Sequence, residues 1–229
     1  MVLIRLQKFL SQAGICSRRQ AEVLISQNKI KINNQPAKLG DKVDPEKDEV
    51  KVKGKIIKPP TEKIYLALNK PVGYTTTRAD QHAEKTIYDL LPAELKTKIW
   101  PVGRLDKNSC GLLILTNDGE LTQKLTHPKY QHPKEYLIKI AGELTKEKIN
   151  RLERGIKIEG KKTLPIKIEK IKYGEIKITL REGRKRQIRK MLEIVGCQVT
   201  FLQRIQEGKL KLGSLVNGQY KTITIKDII

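Results

Sequence analysis

Hydrophobic positions along the chain follow two rhythms, and the change from one to the other marks its organisation. Ile4, Leu6, Phe9, Leu10 and Ala13 recur at helical spacing, and Gly14 follows as a stop. Ser17 opens a second predicted helix, because Gln20 three residues on completes a capping box and Ala21, Leu24 and Ile25 supply an apolar face. From Lys29 the period shortens to two. Ile30 and Ile32 alternate with polar residues, Asn33-Asn34 reads as a turn, and Val43, Val50 and Val52 continue as short strands up to Lys53-Gly54. This helix-helix-strand unit is expected to span residues 1–57. Lys58-Pro59-Pro60-Thr61-Glu62-Lys63 sets two prolines among charges, which predicts a semi-rigid linker over 58–63.

The remaining residues, 64–229, form the second expected domain. A strand over 65–68, a Lys70-Pro71-Val72-Gly73 turn and a short helix around 87–91 lead to Leu112-Leu113-Ile114-Leu115, an unbroken apolar run typical of a strand buried on both faces. A helix starts at Asp118-Gly119-Glu120 and carries Leu121 and Leu125. Residues 135–140 then alternate like a strand bearing Tyr136. A helix over 145–154 and strands over 166–171 and 176–180 follow. Ile188, Met191, Leu192 and Val195 keep helical spacing until Gly196. Mixed elements without a repeated strand-helix rhythm predict an α+β fold with a mainly antiparallel sheet.

Charge sharpens this picture. The 47 Lys and Arg against 25 Asp and Glu leave a net charge of +22, which points to a polyanionic partner, nucleic acid first. Both regions share the surplus: residues 1–63 hold 14 basic and 7 acidic side chains, and the remainder 33 and 18. One RNA is expected to span both. With aromatics at 4%, there is no amphipathic stretch with a bulky apolar face for a membrane surface, nor an apolar run long enough to cross a bilayer. Cys16, Cys110 and Cys197 lie far apart without metal or redox spacing, and read as buried thiols of a reducing compartment. A cytoplasmic monomer is the expectation.

The candidate chemistry centres on Gly103-Arg104-Leu105-Asp106. Gly103 and Gly111 bracket a short polar turn ahead of the apolar run, so Asp106 lies in a loop held by rigid structure, where functional side chains are commonly placed. Arg104, two residues away, is a candidate partner that would keep the carboxylate ionised, as a nucleophile requires. Local sequence alone leaves open a turn carboxylate that caps the backbone or closes a structural ion pair. Residues 181–190 hold six basic residues in ten at the start of the last predicted helix, suited to phosphates. Arg189 adjoins the apolar stripe of that helix and would want a buried carboxylate, with Asp106 the candidate. Arg18 and Arg19 stand in the first turn of the second helix, against the helix dipole, a conflict a bound phosphate would relieve.

Two resemblances build on these residues. Arg5-Leu6-Gln7-Lys8-Phe9-Leu10-Ser11-Gln12-Ala13-Gly14, Ser17-Arg18-Arg19-Gln20-Ala21-Glu22 and Lys31-Ile32-Asn33-Asn34-Gln35 resemble the RNA-binding domain first described in ribosomal protein S-four, whose two helices present a basic face to structured RNA. Gly103-Arg104-Leu105-Asp106, Gly111-Leu112-Leu113, Thr116-Asn117-Asp118-Gly119, His127-Pro128, Lys134-Glu135-Tyr136, Glu182-Gly183-Arg184 and Gln187-Ile188-Arg189 resemble the RsuA/RluB-type ribosomal RNA pseudouridine synthases, in order and over essentially the full length.

The second resemblance implies isomerisation of one uridine in folded ribosomal RNA. The base is detached at nitrogen 1, turned, and rejoined through carbon 5, without metal, redox group or nucleotide cofactor. It implies that Asp106 is the nucleophile, that Tyr136 packs on the target base and helps remove the carbon 5 proton, and that Arg189 orients Asp106. Arg104 would fill the space around the flipped nucleotide. RNA contacts are expected from Arg104, Arg184, Lys185, Arg186 and Lys190, and from Lys8, Arg18 and Arg19 in the first unit. Asn108-Ser109 and Gln206-Glu207 depart from the family's usual Asp-Thr and from its basic residue followed by an apolar or aromatic one. Details around Leu39-Gly40-Asp41-Lys42, Ser109-Cys110 and His127-Pro128 resemble the large-subunit branch.

Other readings compete: a small-subunit enzyme, a non-catalytic RNA-binding or ribosome-assembly protein, and a carboxylate-dependent glycosidase acting on a nucleoside. A binding protein does not explain a carboxylate-bearing loop inside a basic domain. A glycosidase wants a second placed carboxyl group, which the pattern does not supply.

Overall fold

The computed structural model describes residues 3–58, 62–78 and 84–229. Contacts divide the chain into two compact units, Met1–Ile64 with Ala93–Ile99 and Asn117–Gly119, and Tyr65–Pro92 with Trp100–Thr116 and Glu120–Ile229. Pro59, Pro60 and Thr61, the middle of the expected linker, lie outside the described residues.

In the first unit, helix α1 (Leu6–Gln12) precedes α2 (Arg18–Ser26). The capping box is formed: the Gln20 amide donates to Ser17 Oγ at 3.2 Å, and the Ser17 amide donates to Gln20 Oε1 at 3.0 Å. Ile4 does not join α1. It lies in a two-residue strand, Ile4–Arg5, paired antiparallel with Lys42–Val43, and the Leu6 amide donates to the Asp41 carbonyl at 2.9 Å. Strand pairing there satisfies the backbone groups that a longer helix would have used.

Four short antiparallel strands follow in the order Gln35–Pro36, Ile30–Ile32, Val50–Val52, Lys55–Ile57. Asn33 and Asn34, with φ of 48° and 69°, make the first hairpin turn, and Lys53 and Gly54, at 48° and 81°, the last. Leu6, Phe9, Leu10, Ala21, Ile25 and Ile30 form the core of this unit.

The second unit is built on one sheet of nine strands. In chain order its main elements are β1 (Tyr65–Lys70), β2 (Cys110–Thr116), α3 (Gly119–Thr126), β3 (Lys134–Ala141), α4 (Lys146–Glu153), β4 (Lys167–Lys172), β5 (Glu175–Leu180), α5 (Gln187–Ile194), β6 (Gln198–Glu207) and β7 (Tyr220–Thr222). The strand order is β4-β5-β3-β6-β2-β1-β7, with Leu210–Lys211 added to β6 and Trp100–Pro101 to β2. Every pairing is antiparallel except that of β6 with β2, which joins Gln203 to Cys110 and Arg204 to Gly111. The fold is α+β with a mainly antiparallel sheet.

All seven residues of β2 are buried, as an apolar run flanked on both sides demands. Gly111 allows the parallel contact. Its φ is +101°, and a Cβ there would stand 2.8 Å from the Arg204 nitrogen and closer still to the Arg204 carbonyl oxygen. The pattern of apolar positions did not predict β6, the longest strand, nor the short helix Ala93–Lys96 or the Lys157–Ile158/Lys161–Lys162 hairpin.

Candidate active site

Asp106 is half-buried in the wall of a cavity of about 710 Å³ in the second unit. Tyr136, Arg189, Arg104, Arg204 and Lys134 line the same cavity. The turn that carries Asp106 precedes β2 and is held by its main chain. Thr76 Oγ1 donates to the Leu105 carbonyl at 2.7 Å and accepts from the Leu105 amide at 3.2 Å. The Ser109 amide donates to the Asp106 carbonyl at 3.0 Å, and the Gly73 amide to the Lys107 carbonyl at 2.8 Å. Arg189 Nη2 donates to the Asn108 carbonyl at 2.7 Å, and Lys70 Nζ to the Ser109 carbonyl at 2.6 Å. Every carbonyl from Leu105 to Ser109 is thereby occupied. A turn fixed in this way orients the Asp106 side chain without a contact to its carboxylate.

Lys70 is fully buried at the end of β1, and burial pushes its ammonium down to about 8, with Cys110 and Asp106 opposing the shift. It also donates to the Pro71 carbonyl at 2.8 Å. In the sequence Lys70 stands only as the first residue of a turn. The signal available was a lysine closing an apolar strand one residue before a proline.

Arg189 was expected to pair with Asp106. Its guanidinium instead donates to the carbonyls of Asn108 and, at 3.1 Å, Val199, while its buried Nε has no hydrogen-bond partner among the described residues. Burial and the neighbouring Arg186 lower its affinity for the proton, and Asp106 opposes that. Arg189 therefore feels the Asp106 charge and grips the Asp106 turn, but among the described residues the two form no ion pair. Arg104 is exposed and likewise makes no ion pair with Asp106.

Tyr136 is buried on β3, in register with Ile178 of β5 and Arg204 of β6. Burial raises its phenol above the ordinary value, the Arg204 guanidinium beside it lowers it, and the Glu207 and Asp106 charges raise it. Arg204, 2% exposed, donates from Nε to the Leu112 carbonyl at 2.6 Å, and its Nη2 lies 3.4 Å from Glu207. Burial alone would lower the Arg204 proton affinity, but Glu207 and Tyr136 beside it leave it raised. Arg204 and Glu207 were missed as site residues because β6 itself was missed.

The basic segment divides. Arg184 is engaged by the protein: Nε donates to Glu182 at 3.1 Å, Nη1 to the Lys161 carbonyl at 2.9 Å, and Nη2 to the Lys162 carbonyl. Glu182 also accepts from the Leu164 amide and from Gln187 Nε2. Lys190 pairs with Glu159. Lys185 and Arg186 are exposed, and Arg186 stands at φ +55° immediately before α5. In the first unit, Arg18 and Arg19 are exposed in the first turn of α2 and Lys8 is half-buried on α1. Among the described residues, no group of three His, Cys, Asp or Glu could hold a metal ion, and no helix is long and apolar enough to cross a membrane.

A family model described as RNA pseudouridylate synthase matches residues 64–194, and the S4 domain model matches residues 4–50. The chain is 41% identical to an uncharacterized RNA pseudouridine synthase of Aquifex aeolicus, covering 97% of this chain and 91% of the relative. It is 38% identical to the ribosomal large subunit pseudouridine synthase B of Bacillus subtilis, covering 98% and 93%. Identity with the dual-specificity RNA pseudouridine synthase RluF of Escherichia coli is 37%, over 99% and 77%. A crystal structure of a pseudouridylate synthase superposes with a TM-score of 0.73 at 31% identity, covering 98% of this chain and 97% of the other.

Proposed function

The chain belongs to the RNA pseudouridine synthases of the RsuA and RluB type, with an N-terminal S4 domain, and on that premise we propose that it isomerises one uridine of large-subunit ribosomal RNA with Asp106 as nucleophile. The observation that carries this reading is the Asp106 turn. A carboxylate with no ion-pair partner among the described residues is held at the wall of a cavity large enough for a nucleotide, by a main chain whose successive carbonyls are all taken. Such a carboxylate is placed to attack a sugar or base carbon, which a paired structural carboxylate is not.

In this reading Tyr136 packs on the flipped base and helps remove its carbon 5 proton, and Arg189 is a positioning residue that acts through the Asn108 carbonyl. Flipping a base from a helix costs a few kcal/mol. Phosphate contacts from Lys185 and Arg186 in one unit and from Lys8, Arg18 and Arg19 in the other supply it. Arg104 fills the space around the extruded nucleotide. The protein works as a monomer in the cytoplasm, with domains at 1–57 and 64–229 joined by 58–63.

The large-subunit assignment draws on the Bacillus subtilis relative, and its alternative is small-subunit RNA. The test is incubation of the protein with unmodified large-subunit and, separately, small-subunit ribosomal RNA, with pseudouridine mapped by carbodiimide-blocked primer extension. One new stop in large-subunit RNA is expected. A stop only in small-subunit RNA would overturn the substrate assignment, and none in either would overturn the ribosomal reading.

A further inference from the structure

Glu207 ends β6 with 0% of its surface exposed, and neither carboxylate oxygen has a hydrogen-bond partner among the described residues. A buried carboxylate is expensive unless it balances charge. Two cations face it: Arg204 from its own strand at 3.4 Å, and Lys134 from β3 at 3.7 Å. Lys134 is held further by the carbonyls of Leu125 and His132 at 3.3 and 3.4 Å. The other titratable neighbours are His132, whose buried Nε2 has no hydrogen-bond partner among the described residues, and Tyr136.

The backbone there has no slack. Gly208 has φ +59°, and a Cβ on it would stand 2.6 Å from both the His132 ring and the Ile228 carbonyl. Arg204, Lys134, His132 and Tyr136 all line the cavity that Asp106 lines. Without Glu207, the cavity would hold two buried cations, and of the carboxylates that line it Glu182 is paired with Arg184 while Asp106 has no ion pair among the described residues.

We propose that Glu207 is a positioning residue for the reaction: by holding Arg204 and Lys134 at the Tyr136 wall, it keeps both cations off Asp106 and leaves that carboxylate free to attack. The proposal rests on the reading of Asp106 as nucleophile. Attraction between unlike charges strengthens steeply where water is excluded, so a released buried cation would find Asp106 across the cavity.

The test is single-turnover conversion of the mapped RNA by the full chain, with RNA affinity measured in parallel. Glu207→Gln keeps shape and removes charge. It is expected to slow conversion about tenfold, while the Kd for RNA stays within about twofold or tightens. Adding Lys134→Met to Glu207→Gln returns the cluster to its original net charge and is expected to recover part of the lost rate. A purely structural role for Glu207 predicts a further loss in that double variant.

Wild-type rate in a folded Glu207→Gln, or a double variant no faster than Glu207→Gln, would overturn the proposal. Should thermal melting show Glu207→Gln unfolded, Glu207→Asp carries the test. Its carboxylate is drawn back by one methylene, and a loss of about threefold in rate with unchanged Kd is expected, against wild-type rate as the overturning result. An Asp106→Asn control separates the two readings: if it is active, the nucleophile assignment fails, and if it is inert while Glu207→Gln is unaffected, only this inference fails.

Discussion

The turn 105–109 and the segment 181–190 both contribute residues to the wall of one cavity and are built in different ways. In the turn, each carbonyl has a designated donor, from Thr76, Ser109, Gly73, Arg189 and Lys70 in succession, and the one acidic side chain there has no ion pair among the described residues. In the basic segment, Arg184 and Lys190 are tied to the protein, while Lys185 and Arg186 stay exposed. A single carboxylate that must meet one carbon needs a fixed backbone. Cations that meet a mobile, hydrated phosphate chain do not, because the attraction is long-ranged and tolerant of geometry. A count of basic residues therefore includes cations that the protein itself holds, and an acidic residue in a rigid turn carries more information than its rarity suggests.

The contrast can be broken most severely at Thr76. Thr76→Val keeps the volume and removes both hydrogen bonds to Leu105, and conversion is expected to slow by about tenfold to a hundredfold with RNA affinity unchanged. Single-turnover rates beside filter-binding Kd values check this, and a loss confined to Kd would contradict it.

Arg184→Ala should behave as a loss of structure. It is expected to cost about 1–3 kcal/mol of stability in urea denaturation, with little change in the salt dependence of RNA binding. A lowered salt slope at full stability would return Arg184 to the phosphate-binding set.

Lys70 supplies a pH test. Its ammonium is pushed down to about 8 in the fold, below its ordinary value of 10.5, so between those values the unfolded chain binds more protons. Below about 8 both states are protonated and the burial penalty is present in full. Stability relative to Lys70→Met is therefore expected to rise as pH climbs from 8 toward 10.5, and a flat difference across that window would contradict the buried ammonium.

The smallest effect belongs to the exposed cations. Lys185→Ala or Arg186→Ala should weaken RNA binding a few-fold and lower the slope of log K against log salt by about 1, with the rate at saturation unchanged.

Local signals carried much of this. The capping box of Ser17 and Gln20, the Asn33-Asn34 turn and the buried strand at 112–115 are written in residues close together in the chain, and they formed as expected. Ile4 followed the helical period yet paired with Val43, a choice made by a partner 39 residues away. Strand β6 escaped because its inward positions include Arg204 and Glu207, which break the apolar alternation, and because its neighbours lie far off at 110–111 and 134–141. The carboxylate was legible in Gly103-Arg104-Leu105-Asp106. The hydroxyl, ammonium and guanidinium that hold its turn were not, since they come from residues 76, 70 and 189.

The most direct measurement is single-turnover conversion of the mapped RNA by Asp106→Asn, with its Kd determined on the same preparation. The account predicts a loss on the order of a thousandfold or more in rate at essentially wild-type affinity, since the substitution removes the attacking oxygen's charge and leaves the turn's main-chain bonds in place. Pseudouridine formed by that variant at a rate near wild type would contradict it.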